Sequence, residues 1–243
     1  MSVKNVWLHR RIKIQLEGWE TEGILKAWHK DLLVLDDEVR GREVFIPLHQ
    51  VKDIQMLEPT EIGAETDAAG VGGKESSSNS EGSNKGSGLE SSASHRGKSF
   101  SGYRPALMAA KGVFSEARLS ASHVLHGYLA GLMTDFVIFC TPLHGAVLIP
   151  LQHLQALSLY SPGMSPYGLS PEQFPLRPLS LGLARQFEQQ LIRLEGEMAV
   201  ICRGALPDVA GVLGHVEEGF VFMTGADGQQ LMLPLSAIHA LFI

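Results

Sequence analysis

Residues 127–139 read GYLAGLMTDFVIF and residues 147–157 read VLIPLQHLQAL, and this pattern occurs three times along the chain. The first copy is GILKAWHKDLLVL at 23–35 with VFIPLHQVKDI at 44–54, and the third is GVLGHVEEGFVFM at 211–223 with LMLPLSAIHAL at 231–241. Each copy has eight residues from its glycine to Asp31, Asp135 or Gly219, then 15 or 16 to a proline, and seven more to a closing apolar residue. This fixed spacing indicates an internal repeat, so one small unit is used three times.

Each repeat is predicted to be a meander of five short antiparallel strands. In repeat 1, Ile12, Ile14 and Leu16 alternate with polar residues, which is the two-residue period of a half-buried strand. The continuous apolar run at 32–35 predicts a third strand that is covered on both faces. The recurring proline lacks a ladder donor, so we expect a sharp corner between the fourth and fifth strands. Five bent strands in about 55 residues predict a small closed or nearly closed barrel.

Short helices are predicted ahead of repeats 2 and 3. The apolar residues there fall on one helical face, and they are Leu107, Ala110, Phe114 and Ala117 before repeat 2, and Leu183, Phe187, Leu191 and Leu194 before repeat 3. Gly196 is expected to end the second of these helices, whereas too few residues precede repeat 1 for a comparable helix. The predicted fold class is all-β with short helices, arranged as three tandem five-stranded barrels.

Two stretches of different composition separate the repeats. Residues 74–102 contain 11 serines and 5 glycines, a composition that cannot bury enough surface to offset its ordering entropy. A second break carries five prolines. The predicted domains are repeat 1 at 1–58, a Ser/Gly-rich flexible linker at 59–104, repeat 2 at 105–160, a Pro-rich spacer at 161–181, and repeat 3 at 182–243. We expect proteolysis within the linker to release repeat 1 as an independent domain.

A helix followed by five bent strands, with a glycine early in the second strand and an apolar-Pro corner before the last, resembles the Sm-like barrel. Three such repeats together with a Ser-rich segment are similar to spore coat protein B and its relatives in endospore-forming bacteria. Residues 201–208, ICRGALPD, followed by Gly211, resemble that family's Arg-Gly-Gly-Pro-Glu turn before a Gly-x-Leu strand. The resemblance implies a structural component of the spore coat that binds other coat proteins, itself, or both.

The residues indicate no enzyme, so no catalytic, cofactor-binding or metal-binding residue is predicted. Cys140 and Cys202 fall in different strands of different repeats, and we expect both to be buried as small apolar residues. His123 and His126 are expected on opposite faces of one strand, and the histidines do not form a ligand set by spacing. Asp31 and Asp135 are interpreted as turn residues that tolerate left-handed geometry.

Two superficial motifs do not meet the requirements of their chemistry. The segment from Gly70 to Lys74 suggests a phosphate loop, but no Ser or Thr follows the lysine and no apolar strand precedes the glycines. The segment from Gly163 to Gly168 misses the nucleophile-elbow spacing by one residue. A catalytic site at the barrel junctions stays a remote alternative.

Nucleic-acid binding is the alternative function, because Sm-like proteins include binders of single-stranded RNA. The chain has 20 Lys+Arg against 26 Asp+Glu, a formal charge of −6, which gives no general attraction for phosphate backbones. One small basic and aromatic cluster remains in repeat 1, and its members are Trp7, His9, Arg10, Arg11 and Lys13. We therefore do not expect nucleic acid as a partner.

Repeat 2 is unusually poor in charge, since Asp135 is the one Asp, Glu, Lys or Arg between Leu119 and Tyr160. Prolines and polar residues interrupt its apolar run, so we expect no membrane insertion and predict instead that repeat 2 lies between its sister repeats. The resemblance to Sm-like barrels implies that neighbouring barrels join by pairing of a fourth strand with a fifth. Repeat 1 is predicted to supply the outer edge through its fourth strand, near Val44, or to reach a partner. The N-terminus lacks a secretory signal, so synthesis in the cytoplasm is expected.

Overall fold

The computed structural model describes residues 3–57, 100–161, 164, 166–169 and 182–243. The predicted linker at 59–104 and the predicted spacer at 161–181 therefore lie mostly outside the described residues, as does the segment from Gly70 to Lys74.

Each repeat consists of one short helix followed by five strands, with a single 3-10 turn between the fourth and fifth strands. Repeat 1 contains α1 (Val3–Trp7), β1 (Arg11–Gln15), β2 (Glu20–Trp28), β3 (Leu32–Asp37), β4 (Arg42–Pro47) and β5 (Asp53–Met56). Repeat 2 contains α2 (Tyr103–Ala109), β6 (Phe114–Arg118), β7 (Val124–Leu132), β8 (Phe136–Thr141), β9 (Gly145–Pro150) and β10 (Ala156–Leu159). Repeat 3 contains α3 (Phe187–Arg193), β11 (Met198–Arg203), β12 (Leu206–Glu217), β13 (Phe220–Thr224), β14 (Gln230–Pro234) and β15 (Ala240–Phe242).

The 15 strands in the described part of the chain belong to one open antiparallel sheet, in the order β14-β13-β12-β11-β15-β9-β8-β7-β6-β10-β4-β3-β2-β1-β5. Within every repeat the order is fourth, third, second, first, fifth. The all-β class with short helices is confirmed, and so is the central position of repeat 2. The three repeats are not separate sheets, because the outer strands of repeat 2 pair with strands of both neighbours.

The helices differ in extent from their prediction. The helix before repeat 2 ends at Ala109, and Phe114 begins the first strand of that repeat because Gly112, at φ 76°, turns the chain. Repeat 1 does have a helix, α1, although it is only five residues long. No helix in the described part of the chain is long and apolar enough to cross a membrane.

The glycine near the start of each second strand is required by a close backbone approach. A Cβ at Gly23 would lie 2.6 Å from the carbonyl oxygen of Asp36 in the third strand. Gly127 and Gly211 face the carbonyl oxygens of Cys140 and Thr224 at least as closely. Because a backbone carbonyl cannot move aside as a flexible side chain can, any other residue there must separate the second and third strands.

The apolar core crosses the repeat boundaries. The side chains of Leu33 and Ile46 belong to the core of repeat 1, whereas their neighbours Leu32 and Phe45 belong to the core built around repeat 2. Leu32–Leu35 is buried on both faces, so the prediction for the third strand is confirmed. The second face is covered by the following repeat, which makes the repeats interdependent.

Replacement of Gly127 by alanine is expected to lower the free energy of unfolding by about 1–3 kcal/mol, because the new methyl group overlaps the Cys140 carbonyl. Gly131→Ala is the matched control, since the atoms nearest to its methyl group belong to the side chains of Ile138 and Met133 and not to the backbone. Urea unfolding of both variants measures the difference, and equal stabilities would contradict the close-approach explanation.

Candidate interaction surface at the repeat junctions

Two strand pairings join the repeats, and both use the fourth strand of one repeat and the fifth strand of the next. In the first junction β4 pairs with β10, and Phe45 lies opposite Leu157. In the second junction β9 pairs with β15, and Leu148 lies opposite Leu241. Both junctions place the residue two before one repeat's corner proline opposite the residue seven after the next repeat's proline. They therefore share one register.

The prediction that the fourth strand of repeat 1 forms an outer edge is wrong. Val44 lies between Leu35 of β3 and Ser158 of β10, so both of its strand neighbours are present. The outer edges of the sheet are β5 in repeat 1 and β14 in repeat 3. The resemblance to Sm-like barrels implies which kinds of strand meet, but it does not determine which end of the array each kind occupies.

An apolar patch on the outer face of strands three and four accompanies each junction. In repeat 1 the patch consists of Leu32, Val34 and Phe45, and in repeat 2 it consists of Phe136, Ile138 and Leu148. Both patches are buried, and each joins the core of the next repeat, including that repeat's helix. Phe45 contacts Phe100 edge-on at 5.4 Å and Phe136 contacts Phe187 at 5.8 Å. Every junction thus combines strand pairing with helix packing.

Asp31 and Asp135 bind the start of the helix in the following repeat. The Asp31 carboxylate accepts a hydrogen bond from the backbone N–H of Tyr103 at 3.1 Å, and Asp135 accepts one from Phe187 at 2.9 Å. Neither aspartate has a positive φ, so the left-handed geometry predicted for them is found only at Gly219. Their carboxylates satisfy helix donors that would otherwise be unpaired.

A buried charge network lies at the first junction, and sequence reasoning missed it. Glu116 accepts hydrogen bonds from Arg42 of repeat 1 at 2.9 Å and from Arg118 at 3.0 Å. The Arg42 guanidinium also stacks over the ring of Tyr160 at 3.8 Å. Removing one partner would leave buried charge unpaired, so this network penalises separation of the repeats. No signal in the sequence relates Arg42 to Glu116, since the two positions lie in different repeats.

The second junction contains a pair of stacked histidines. The rings of His153 and His239 are 4.0 Å apart and nearly parallel, although the two positions are not equivalent in the repeat. His153 Nε2 lies 2.8 Å from the carbonyl oxygen of Ser236. Burial, and to a smaller extent the neighbouring His239, lower the pKa of His153 to about 4. Burial also lowers the pKa of His239, so the stacked pair is neutral at physiological pH.

Among the residues that the structure describes, one group of possible metal ligands converges. Donor atoms of His123, Cys202 and Asp208 lie within 4.8 Å of one another, and His123 Nε2 is 3.6 Å from the Asp208 carboxylate. Such a donor set suits zinc. However, burial raises the pKa of Cys202 to about 11, so the thiol keeps its proton and a metal would have to displace it. The absence of a metal site stays a prediction.

The other residues considered for chemistry are dispersed. His126 forms a hydrogen bond with the hydroxyl of Tyr160 and does not belong to the group of possible metal ligands around His123. Cys140 and Cys202 are both buried, as predicted. In the basic cluster of repeat 1, Arg11 lies 3.7 Å from Glu22 and Lys13 lies 2.7 Å from Glu20. The cations closest to the sheet are therefore paired with carboxylates.

Strand pairing, the Phe45 contact and the Arg42–Glu116 pair all cross the first junction. Contrary to the release expected from the composition of the linker, repeat 1 should therefore stay bound once the chain is cut within residues 58–99. Size-exclusion chromatography after mild proteolysis should show one species whose two fragments separate only on a denaturing gel. Phe45→Ala should weaken this retention more than Ile46→Ala, which faces the core of repeat 1 itself. Elution of free repeat 1 from the unsubstituted protein would contradict the junction.

Acid should destabilise the second junction through His153. The unfolded chain takes up a proton near pH 6.5, whereas the folded chain does so only near pH 4. The contribution of the neutral ring is therefore complete above pH 6.5 and is lost as the pH falls toward 4. Since His153 is only partly buried, we expect about 1–2 kcal/mol.

Urea unfolding measures how much the free energy of unfolding falls between pH 7.5 and pH 5. This fall should be smaller in His153→Gln than in the unsubstituted chain. His144→Gln, at an exposed position, is the control and should behave as the unsubstituted chain does. An identical pH dependence in all three proteins would exclude the proposed role of His153.

Comparison with known proteins yields similarity to YwrJ. The family described as YwrJ third domain matches residues 186–241, which lie within repeat 3. A protein of Bacillus subtilis (strain 168), named uncharacterized protein YwrJ, is 28% identical over 141 residues. The match covers 58% of this chain and 63% of that protein, less than two thirds of its length. No solved structure matches. The chain is thus similar to YwrJ, and the narrower resemblance to spore coat protein B stays a prediction.

Proposed function

We propose that this chain is a non-enzymatic structural protein that assembles through the edges of its sheet and its apolar surface. The observation that carries the proposal is the architecture of the junctions. The same edge pairing is used twice within the chain, and among the described residues strands of the same two kinds, β14 and β5, have no second neighbour at the ends of the sheet. An unpaired edge strand is a template for another strand, so the array is suited to extension by a protein partner.

We further propose that each repeat is an Sm-like barrel. Three observations support this: the fourth-third-second-first-fifth strand order, the register shift within every second strand, and the 3-10 corner after every recurring proline. A bulged second strand bends sharply, which helps a five-stranded sheet to curl. In such a barrel the fourth and fifth strands of one repeat do not pair with each other, so both remain free for neighbours.

The described residues give little support for catalysis. A cleft of about 380 Å³ beside the first junction is lined by both acidic and basic residues, among them Arg11, Glu22, Asp37, Arg40 and Arg118. Arg11 and Arg40 already lie within 4 Å of Glu22 and Asp37. The thiols of Cys140 and Cys202 have pKa values raised by burial, which disfavours the thiolate form that a nucleophile requires.

The proposed location is the bacterial spore coat, on the basis of the triple repeat and the Ser-rich segment that resemble spore coat protein B. A fluorescent fusion of the whole chain should collect around the forespore in sporulating cells and stay with purified spores. Fluorescence that remains spread through the mother-cell cytoplasm would contradict the coat assignment.

Binding of single-stranded RNA should be no tighter than non-specific, with a Kd on the order of 10⁻⁴ M at physiological salt. The physical reason is the charge of −6 together with the paired cations of repeat 1. Fluorescence anisotropy with a labelled single strand measures this affinity. A salt-sensitive micromolar complex that is lost in the Arg10→Ala/Arg11→Ala variant would favour the nucleic-acid alternative.

A further inference from the structure

We propose that two copies of this chain associate head to tail, with β14 of one copy paired to β5 of the other in the register of the internal junctions. This inference rests on the proposed assembly function and identifies the partner as a second copy of the chain. The contact is heterologous, because a fourth strand at one end meets a fifth strand at the other end.

The register follows from the two junctions inside the chain. There, Phe45 lies opposite Leu157 and Leu148 lies opposite Leu241. The equivalent residue of β14, two before its corner proline, is Met232. The equivalent residue of β5, seven after its corner proline, is Ile54. The same pairing between copies therefore places Met232 opposite Ile54, and two residues along it places Gln230 opposite Met56.

The exposed fractions of side chains at equivalent positions of the repeats identify a surface that no other described residue covers. Phe45 and Leu148 are 0% exposed at the internal junctions, whereas Met232 is 57% exposed. The positions that are buried as Leu32 and Val34 in repeat 1 are only partly buried as Phe220 and Phe222 in repeat 3. Repeat 3 thus carries an open apolar patch, which consists of Phe220, Phe222 and Met232, at the place where a following repeat would pack.

The opposite end of the molecule offers the complementary surface. At each internal junction, the helix of the following repeat covers the patch. In repeat 1 the corresponding helix is α1, and its Val6 is 55% exposed. Met56 on β5 is 40% exposed. Repeat 1 of a second copy therefore presents an edge strand and a helix, both with exposed apolar residues. These are the two kinds of element that cover the equivalent patches at the internal junctions and that the patch of repeat 3 lacks.

Neither edge is protected against pairing at the relevant positions. Natural edge strands are commonly blocked by charged residues or proline. The positions of β14 that would pair are Gln230, Leu231 and Met232, and those of β5 are Ile54, Gln55 and Met56, so none is charged. Pro234 does not prevent the contact, because Pro47 and Pro150 occupy the same position in strands that do pair.

The contact between copies should be weaker than an internal junction. Asp31 and Asp135 each bind the helix of the following repeat, but Gly219 stands at the equivalent position of repeat 3 and has no carboxylate. Strand pairing and apolar packing must then hold the copies together without this helix cap. We therefore expect a reversible association that depends on protein concentration.

Light scattering coupled to size-exclusion chromatography tests the proposal on the full chain. The molar mass should rise from that of a single 26.4 kDa chain toward a multiple of it as concentration increases. Met232→Lys should abolish the rise. Met198→Lys is the matched control, because Met198 is 65% exposed but lies on an inner strand of the sheet. A monomer at every concentration, or an unchanged rise in Met232→Lys, would overturn the proposal.

A pair of double variants tests the register itself. Gln230→Lys/Met56→Lys places like charges opposite each other between copies and should give monomers. Gln230→Glu/Met56→Lys places opposite charges there and should restore the association. Both positions are exposed, so circular dichroism should show the same fold for the two variants. Equal behaviour of the two variants would overturn the register.

The two proposals fail in different ways. A chain that is monomeric in solution but collects on spores would contradict only the head-to-tail contact. A chain that associates as expected but stays in the cytoplasm of sporulating cells would contradict the coat function and leave the contact standing.

Discussion

The unpaired edges of the five-stranded unit are the constraint on which the rest of this structure depends. Within each repeat, strands four and five lie at opposite ends of the strand order, so each unit has two rows of backbone donors and acceptors without partners. A buried backbone group without a partner costs free energy comparable to a lost hydrogen bond. Pairing of the fourth strand of one repeat with the fifth strand of the next provides partners for these backbone groups at both junctions. It also brings together the outer apolar patches, which join the cores of neighbouring repeats.

The repeated residues preserve the shape that makes this pairing possible. Gly23, Gly127 and Gly211 let the third strand approach the second, and the recurring proline ends the fourth strand so that the chain can turn into the fifth. The aspartates differ, because they serve the following repeat and not their own. Asp31 and Asp135 each bind the helix of the following repeat, and Gly219 stands at that position in repeat 3. The sequence difference at this position thus changes what the repeat can bind.

Spacing and periodicity in the sequence were sufficient for the repeat and for the five strands of each unit. The apolar character of cysteine predicted the burial of Cys140 and Cys202, and the lack of charge in repeat 2 predicted its central position. These features were insufficient for the order of the edges, since Val44 lies within a junction and not at the outside. They also missed the Arg42–Glu116 pair and the group formed by His123, Cys202 and Asp208. These contacts join different repeats, and neither a two-residue nor a 3.6-residue period carries information about them. The Asp31 and Asp135 caps did leave a signal, namely an aspartate that repeats 1 and 2 share and that Gly219 replaces in repeat 3.

Hydrogen exchange of the backbone amides in β10 tests most directly whether edge pairing unites the repeats. Successive amides of Ala156–Leu159 point alternately toward β6 and toward β4. If β10 has both neighbours, the amides on both sides exchange slowly, with rates set by opening of the sheet. If alternate amides of this strand exchange as fast as those of an unfolded peptide, then β10 is an exposed edge and the repeats do not form one sheet.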